Sequence, residues 1–108
     1  MMMKPNKWDI WLASIKFEEK PDIKNRPVLV IAPDMAYYVS LKITTHEPRN
    51  VYSNEHRIVK WEEAGLNKPS TIRASKVLHV MERDFVHKIG HLHPVDIMAV
   101  QKILERNF

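Results

Sequence analysis

The first third of the chain contains an alternating segment and an apolar run, which together predict two strands joined by a charged loop. Residues 8–15 alternate aromatic and β-branched side chains with others, which is typical of a half-buried strand. Residues 26–31 begin with Arg26 and Pro27 and continue as an unbroken apolar run, so we expect a strand deep in a sheet. Because proline disfavours the α conformation of the residue before it, Arg26 should be extended at the mouth of this strand. Residues 17–25 have neither strand nor helix periodicity, which predicts the charged loop between the two strands.

The rest of the pattern predicts more strands and one helix. Further strands are expected over residues 37–44, 56–61, 70–81 and 87–92. Ala74 and Ser75 interrupt the third of these, which indicates a bulge. Gly65 is expected to end a single helical turn in the left-handed conformation. Apolar residues recur at helical spacing over residues 94–107, where Pro94 suits the first helical position.

Together these elements predict a mainly β fold with one C-terminal helix. Many short strands and few glycines are typical of a small, partly open barrel, and the apolar side of the helix must then cover the sheet. A chain of 108 residues is expected to form one domain, residues 1–108, with a single modest core.

Composition narrows the possible function classes only slightly. Without cysteine the chain has no disulfides or thiolate metal sites, which suits a reducing cytoplasm. No apolar segment approaches the roughly 20 residues that cross a bilayer, so we expect a cytoplasmic protein without a membrane partner. Seventeen Lys and Arg against thirteen Asp and Glu give a net charge of +4, which favours polyanions weakly.

Five sequence blocks carry a resemblance to a known family. They are residues 8–15, residues 26–31, Ile43-Thr44-Thr45, residues 65–70 (Gly-Leu-Asn-Lys-Pro-Ser), and Lys88-Ile89-Gly90-His91-Leu92 before the helix. Each block is weak alone, but in this order they resemble the PemK/MazF toxins over nearly the whole chain. The resemblance implies an SH3-like barrel with a terminal helix, usually as a homodimer.

The resemblance also implies an activity. Most members of the family are endoribonucleases that cut single-stranded RNA without a metal or other cofactor, and an antitoxin partner holds them inactive. In RNA a ribose 2′-OH can attack the neighbouring phosphorus, leaving a 2′,3′-cyclic phosphate and a free 5′-OH. A second interpretation, a toxin that is not an enzyme, stays open, because the same fold is found in a toxin that binds DNA gyrase. A degenerate member could equally be a non-catalytic module that binds nucleic acid or protein.

Two residues are the predicted catalytic groups. Arg26 resembles the catalytic arginine of the family, and a guanidinium can bind two phosphate oxygens and stabilise developing charge. Thr44 matches the family's threonine or serine at the end of the third strand, where a hydroxyl could bind the same phosphate. From the residues alone, Arg26 could be a surface arginine at a strand start, and Thr44 simply a good strand former.

The remaining site residues are predicted to bind the substrate. They are Lys24, Thr45, His46, Arg73 and Ser75. An imidazole such as that of His46 can move a proton near neutral pH. Arg73 matches an arginine used by one branch of the family, although Ser75 stands where that branch has an acid; the alternative is that Arg73 is a solvated strand residue.

The first loop departs from the family pattern. Relatives usually have a glycine there and a Glu-Gln or similar pair before the Arg-Pro, whereas this loop offers Glu18, Glu19 and Asp22 at other spacings. The sequence therefore leaves the general base unassigned. His91 and His93 have a spacing that suits a metal, but without an evident third ligand we predict no metal site.

Overall fold

The fold is an antiparallel sheet with one helix packed on it. A computed structural model describes residues 4–16, 22–48 and 54–107. Its elements are β1 (Asp9–Lys16), β2 (Ile23–Asp34), β3 (Tyr37–Thr44), β4 (Glu55–Arg57), β5 (Thr71–Met81), a 3-10 turn (Glu82–Asp84), β6 (Phe85–His91) and α1 (Pro94–Asn107). The strand order is β4-β5-β3-β2-β1-β6, and all neighbouring strands are antiparallel. The sheet does not close, which confirms the predicted mainly β, partly open barrel.

Several predicted elements match closely and others need correction. β3 and α1 have the predicted bounds. The predicted loop is wrong for residues 23–25, because β2 begins at Ile23, which pairs with Lys16; residues 17–21 lie outside the described part. β4 ends at Arg57 instead of continuing to residue 61. The predicted bulge is present, since the β3–β5 ladder steps from Leu41↔Val77 to Lys42↔Arg73.

The two faces of the sheet differ. The face covered by α1, called here the helix face, holds the main core, in which Val100 of α1 packs with Leu29, Leu41, Ile43 and Ile72. Each fully buried side chain of this size contributes about 1.5–3 kcal/mol of transfer free energy. The opposite side, called here the far face, carries a smaller apolar cluster formed by Ala13, Ile15, Val28 and Val80, with Phe85 packed against it.

A buried carboxylate ties α1 to the chain after β4. Asp96 in the first turn of α1 is fully buried, and its Oδ1 accepts hydrogen bonds from the Val59 N–H and from His56 Nε2, both at 2.8 Å. Its Oδ2 accepts from the Lys60 N–H at 2.9 Å. Burial alone raises the pKa of Asp96, but these backbone and imidazole donors outweigh it, and the net shift of the pKa is downward. This contact fixes where β4 lies.

The two glycines of the chain allow the turn over residues 62–66 to lie directly against β6. Gly65 has a φ of +93°, as predicted for the residue that ends the turn over residues 62–66. A Cβ atom on Gly90 would overlap the carbonyl oxygen of Ala64, and one on Gly65 would overlap that of Ile89. The turn therefore packs directly on β6, with no room for a side chain between them.

Candidate functional site

Arg26 and Thr44 lie on neighbouring strands and on the same face. Thr44 is the last residue of β3, whereas Arg26 lies three residues inside β2, so its predicted position at the start of that strand is wrong. Directly paired residues of an antiparallel ladder share a face, and so do residues two apart in one strand. The β2–β3 ladder ends at the pair Val28↔Lys42. Arg26 lies two residues before Val28, and Thr44 two residues after Lys42, with no bulge between. Both side chains therefore project from the far face, just beyond the last pair of the β2–β3 ladder.

The same ladders extend this end of the far face across two more strands. Lys42 pairs with Arg73, which pairs with Glu55. In the next row, Thr44 pairs with Thr71, which pairs with Arg57. The residues brought together, called here the polar end, are Arg26, Lys42, Thr44, Glu55, Arg57, Thr71 and Arg73. Cations outnumber carboxylates in this set, so the surface favours an anion.

Arg73 is part of a buried ion pair. Its Nε donates to Glu55 Oε2 at 2.9 Å. Only 13% of the Arg73 side chain and 2% of the Glu55 side chain are exposed. The alternative that Arg73 is a solvated strand residue is therefore wrong. A carboxylate does lie beside Arg73, but β4 supplies it, whereas Ser75 is exposed in the β5 bulge without a ladder partner.

A hydrogen-bonded clamp holds the segment that follows Thr44. The buried hydroxyl of Thr71 donates to the carbonyl oxygen of His46 at 2.6 Å. Arg57 Nη1 donates to that same carbonyl at 3.2 Å, to the carbonyl of Thr45 at 3.4 Å and to the Thr71 hydroxyl at 3.0 Å. The His46 N–H in turn donates to Thr44 Oγ1 at 3.4 Å. These bonds fix the direction in which the chain leaves β3, and with it the position of Thr44.

Of the other predicted binding residues, Thr45 and His46 belong to this clamp and Lys24 lies on β2. Lys24 pairs with Ile15 and lies two residues before Arg26, so it projects from the same face. The side chains of Lys24, Arg26, Thr45 and His46 are exposed. The structure thus brings Lys24, Thr45, His46 and Arg73 to the region of Arg26 and Thr44; their roles stay predictions.

A separate polar cluster lies at the other end of β1. Asp9 is buried and accepts hydrogen bonds from the Asn6 N–H at 2.8 Å and from Trp11 Nε1 at 3.2 Å, and His91 Nδ1 lies 2.9 Å from it. Burial alone raises the pKa of Asp9. The hydrogen bonds from His91, Asn6 and Trp11 and the charge of Lys88 outweigh this effect, so the net shift of the pKa is downward. Within residues 4–16, 22–48 and 54–107, no group of three or more His, Asp or Glu side chains is arranged to hold a metal ion.

Sequence reasoning missed part of the polar end. Lys42 could have been found, because it lies two residues before Thr44 in a strand whose bounds were predicted correctly. Glu55, Arg57 and Thr71 gave no comparable signal, since their position depends on β4 pairing with β5. The strand β4 is only three residues long, and its place is set by contacts far away in sequence.

Comparisons with known proteins agree with this fold. The family model of PemK-like, MazF-like toxins of type II toxin–antitoxin systems matches residues 6–108. Similar solved structures include a mycobacterial endoribonuclease in complex with its cognate antitoxin (TM-score 0.76, 11% identity, covering 94% of this chain and 92% of that one). The Mycobacterium tuberculosis toxin MazF-mt6 is also similar (TM-score 0.70, 21% identity, 91% and 93%).

A mycobacterial endoribonuclease without its antitoxin gives a further match (TM-score 0.74, 12% identity, 97% and 91%). At these identities, likeness to solved structures shows the fold alone. No curated protein matches the sequence. In the described part of the chain, no helix is long and apolar enough to cross a membrane. Because the family model spans nearly the whole sequence, the chain belongs to the PemK-like, MazF-like toxins of type II toxin–antitoxin systems.

Proposed function

We propose that this toxin is a metal-independent endoribonuclease that cuts single-stranded RNA at the polar end. The observation that carries the proposal is the placement of Arg26 and Thr44 on one face, each two residues beyond the last pair of the β2–β3 ladder. The excess of cations around them favours the RNA backbone, and membership of a family of toxins supports an activity that harms the cell.

The nucleophile belongs to the RNA itself, so the protein must orient the strand, stabilise the developing charge and assist the movement of protons. The ribose 2′-oxygen forms a bond to the adjacent phosphorus while the bond from phosphorus to the 5′-oxygen breaks. The products are a 2′,3′-cyclic phosphate and a 5′-OH. Arg26 binds the non-bridging oxygens, whose negative charge grows in the transition state, and the Thr44 hydroxyl donates a hydrogen bond to the same phosphate.

Two proton movements complete this step. The 2′-OH loses a proton as it attacks, and the departing 5′-oxygen gains one. His46 is the imidazole nearest to Thr44 in the chain; it is exposed, and its backbone is fixed by the Thr71 and Arg57 bonds. We assign it one of these two proton transfers, with solvent water as the partner in the other, while Lys24, Thr45 and Arg73 bind the substrate around the cleaved linkage.

The experiment is cleavage of a single-stranded RNA oligonucleotide in EDTA. The wild-type protein should give fragments with 5′-OH and 2′,3′-cyclic phosphate ends, and Arg26→Ala should form them about 10²–10³-fold more slowly. Arg83→Ala is the matched control. Arg83 is exposed near the other end of β5, and its substitution removes the same charge. Equal cleavage by the Arg26→Ala and wild-type preparations, or no cleavage by the wild type, contradicts the proposal.

We also propose that the protein acts in the cytoplasm as a homodimer and is neutralised by a cognate antitoxin. One of the similar structures is a complex of an endoribonuclease with its antitoxin, and the family is defined by such pairs. Sedimentation analysis should give twice the monomer mass of 12.8 kDa. A short acidic protein encoded beside this one should bind it and stop the cleavage.

A further inference from the structure

Arg57 lies in line with the proposed cleavage site but on a different strand. It pairs with Thr71, and Thr71 pairs with Thr44, so two strand spacings, about 10 Å, separate the backbones of Arg57 and Thr44. Arg26 lies one strand further, on the other side of Thr44. A single strand of RNA that runs across β2, β3, β5 and β4 therefore meets a cation at both ends of this row.

The Arg57 guanidinium is divided between two tasks. Its Nη1 makes all of its hydrogen bonds to the clamp, namely to the carbonyls of Thr45 and His46 and to Thr71. Its Nη2 lies 3.7 Å from Glu47 Oε1, a loose contact with a side chain that is 85% exposed. Among the described residues, Nε has no hydrogen-bond acceptor. The Arg57 side chain is 32% exposed, so part of it is open to solvent.

We propose that Arg57 forms a second phosphate subsite, which holds a linkage of the RNA next to or one beyond the linkage that is cleaved. The inference rests on the proposed ribonuclease function and deepens it. The clamp fixes the guanidinium through Nη1, which leaves the fork of Nε and Nη2 ready to bind two phosphate oxygens. The phosphate displaces Glu47, whose carboxylate occupies this place in the free protein.

The alternative is that Arg57 only supports the clamp. In that case Arg57→Gln would weaken binding by loosening the segment after Thr44, and the loss would not depend on any particular phosphate. A subsite predicts that the loss belongs to one linkage. The two roles are distinguished by neutralising the phosphates of the ligand one at a time.

The test uses an uncleavable 2′-O-methyl oligonucleotide with a single neutral methylphosphonate, which is moved along the strand. With the wild-type protein, neutralising the linkage at Arg57 should weaken binding several-fold. With Arg57→Gln, the unmodified ligand should bind several-fold more weakly, but neutralising that linkage should have no further effect. The slope of log K against log salt should also become about 0.7 shallower. If the two changes add at every linkage, the inference is wrong.

Glu47→Gln provides a variant of opposite sign. Removing the competing carboxylate should tighten binding of the unmodified oligonucleotide two- to five-fold at low salt, and neutralising the Arg57 linkage should cancel this gain. Glu105→Gln is the matched control, because it removes the same charge from an exposed position on α1, which packs on the helix face. Equal gains from both variants contradict the subsite.

The outcomes separate this inference from the proposed function. If the wild type binds the oligonucleotide and the Arg57 linkage is found, but an all-ribose version is not cut, the subsite stands and the ribonuclease proposal fails. If the all-ribose version is cut and Arg57→Gln acts equally at every linkage, the reverse holds. Absence of salt-dependent binding by the wild type overturns the subsite.

Discussion

Alternate residues of the short strand β4 serve two polar regions of opposite character. His56 faces the carboxylate of Asp96, which is fully buried and accepts three hydrogen bonds. Glu55 and Arg57, on either side of His56, belong to the polar end on the far face. The carboxylate of the first region is closed to solvent, and both of its oxygens accept hydrogen bonds. The second carries more positive than negative groups; of its cations, Arg26 is exposed and Lys42 and Arg57 are half-buried.

The difference shows how the same residue types support either folding or binding. A buried carboxylate whose oxygens are all bonded can only hold elements together, because no atom remains for a ligand. Exposed cations in excess contribute little to stability and leave a positive field that an anion can neutralise. Substitutions in the first region should therefore affect unfolding, and those at the exposed cations of the second should affect RNA binding and cleavage.

The largest effect on stability is expected from Asp96→Ala. The change leaves two backbone N–H groups and His56 without their acceptor inside the fold. We expect the free energy of unfolding to fall by about 3–5 kcal/mol, as when one partner of a buried ion pair is removed. Urea denaturation measures this. A loss below about 1 kcal/mol would show that the region does not hold α1 to the chain after β4.

Arg26→Ala should reduce cleavage strongly and leave the stability of the fold nearly unchanged. Cleavage should fall by about 10²–10³-fold, the usual result of removing one donor that stabilises an anionic transition state. Because the Arg26 side chain is exposed, the free energy of unfolding should change by less than about 0.5 kcal/mol. Initial rates and urea denaturation of the same preparation give both values. A variant that loses stability as well as activity would contradict the separation of folding and binding roles between the two regions.

Glu55→Gln tests the one buried carboxylate of the polar end. It keeps the shape of the side chain but removes the charge that Arg73 bonds at 2.9 Å. We expect a loss of about 1.5–3 kcal/mol of stability, the range for hydrogen bonds to charged groups, together with weaker RNA binding because Arg73 is no longer oriented. Thermal melts and oligonucleotide titration measure the two effects. Unchanged RNA binding would place the pair with the folding contacts only.

The smallest effect is a dependence of stability on pH. The pKa of Asp96 is lower in the fold than its ordinary value of 3.8. The unfolded chain therefore binds more protons than the folded one between these two pKa values. The stabilisation from Asp96 is complete above the ordinary value and is lost as the pH falls through the folded pKa, by up to about 1.4 kcal/mol per pH unit. Asp96→Asn should flatten this acid limb of urea denaturation curves; an unchanged slope would assign it to other carboxylates such as Asp9.

Sequence patterns predicted the parts of this molecule that are governed by local rules. The bounds of β3 and α1, the bulge near Ala74 and the left-handed Gly65 all follow from periodicity and backbone chemistry. The early start of β2 was missed, because residues 23–25 (Ile-Lys-Asn) are too short and mixed a segment to show a strand pattern, and they pair with β1.

The candidate site was predicted in part for the same reason. Arg26 and Thr44 carry the family resemblance, whereas Arg57 and Glu55 reach the site through β4. That strand is positioned by the bond between His56 and Asp96, which are 40 residues apart in the chain. No local pattern encodes such a contact.

The most direct test of the account is a double-mutant cycle on Arg26 and Thr44, with binding of an uncleavable 2′-O-methyl RNA as the readout. The variants are Arg26→Gln, Thr44→Val and the double mutant. If both side chains hold one phosphate, their effects on the binding free energy should be coupled by about 0.5–3 kcal/mol. Effects that simply add, within about 0.3–0.5 kcal/mol, would mean that the two groups do not meet at one phosphate.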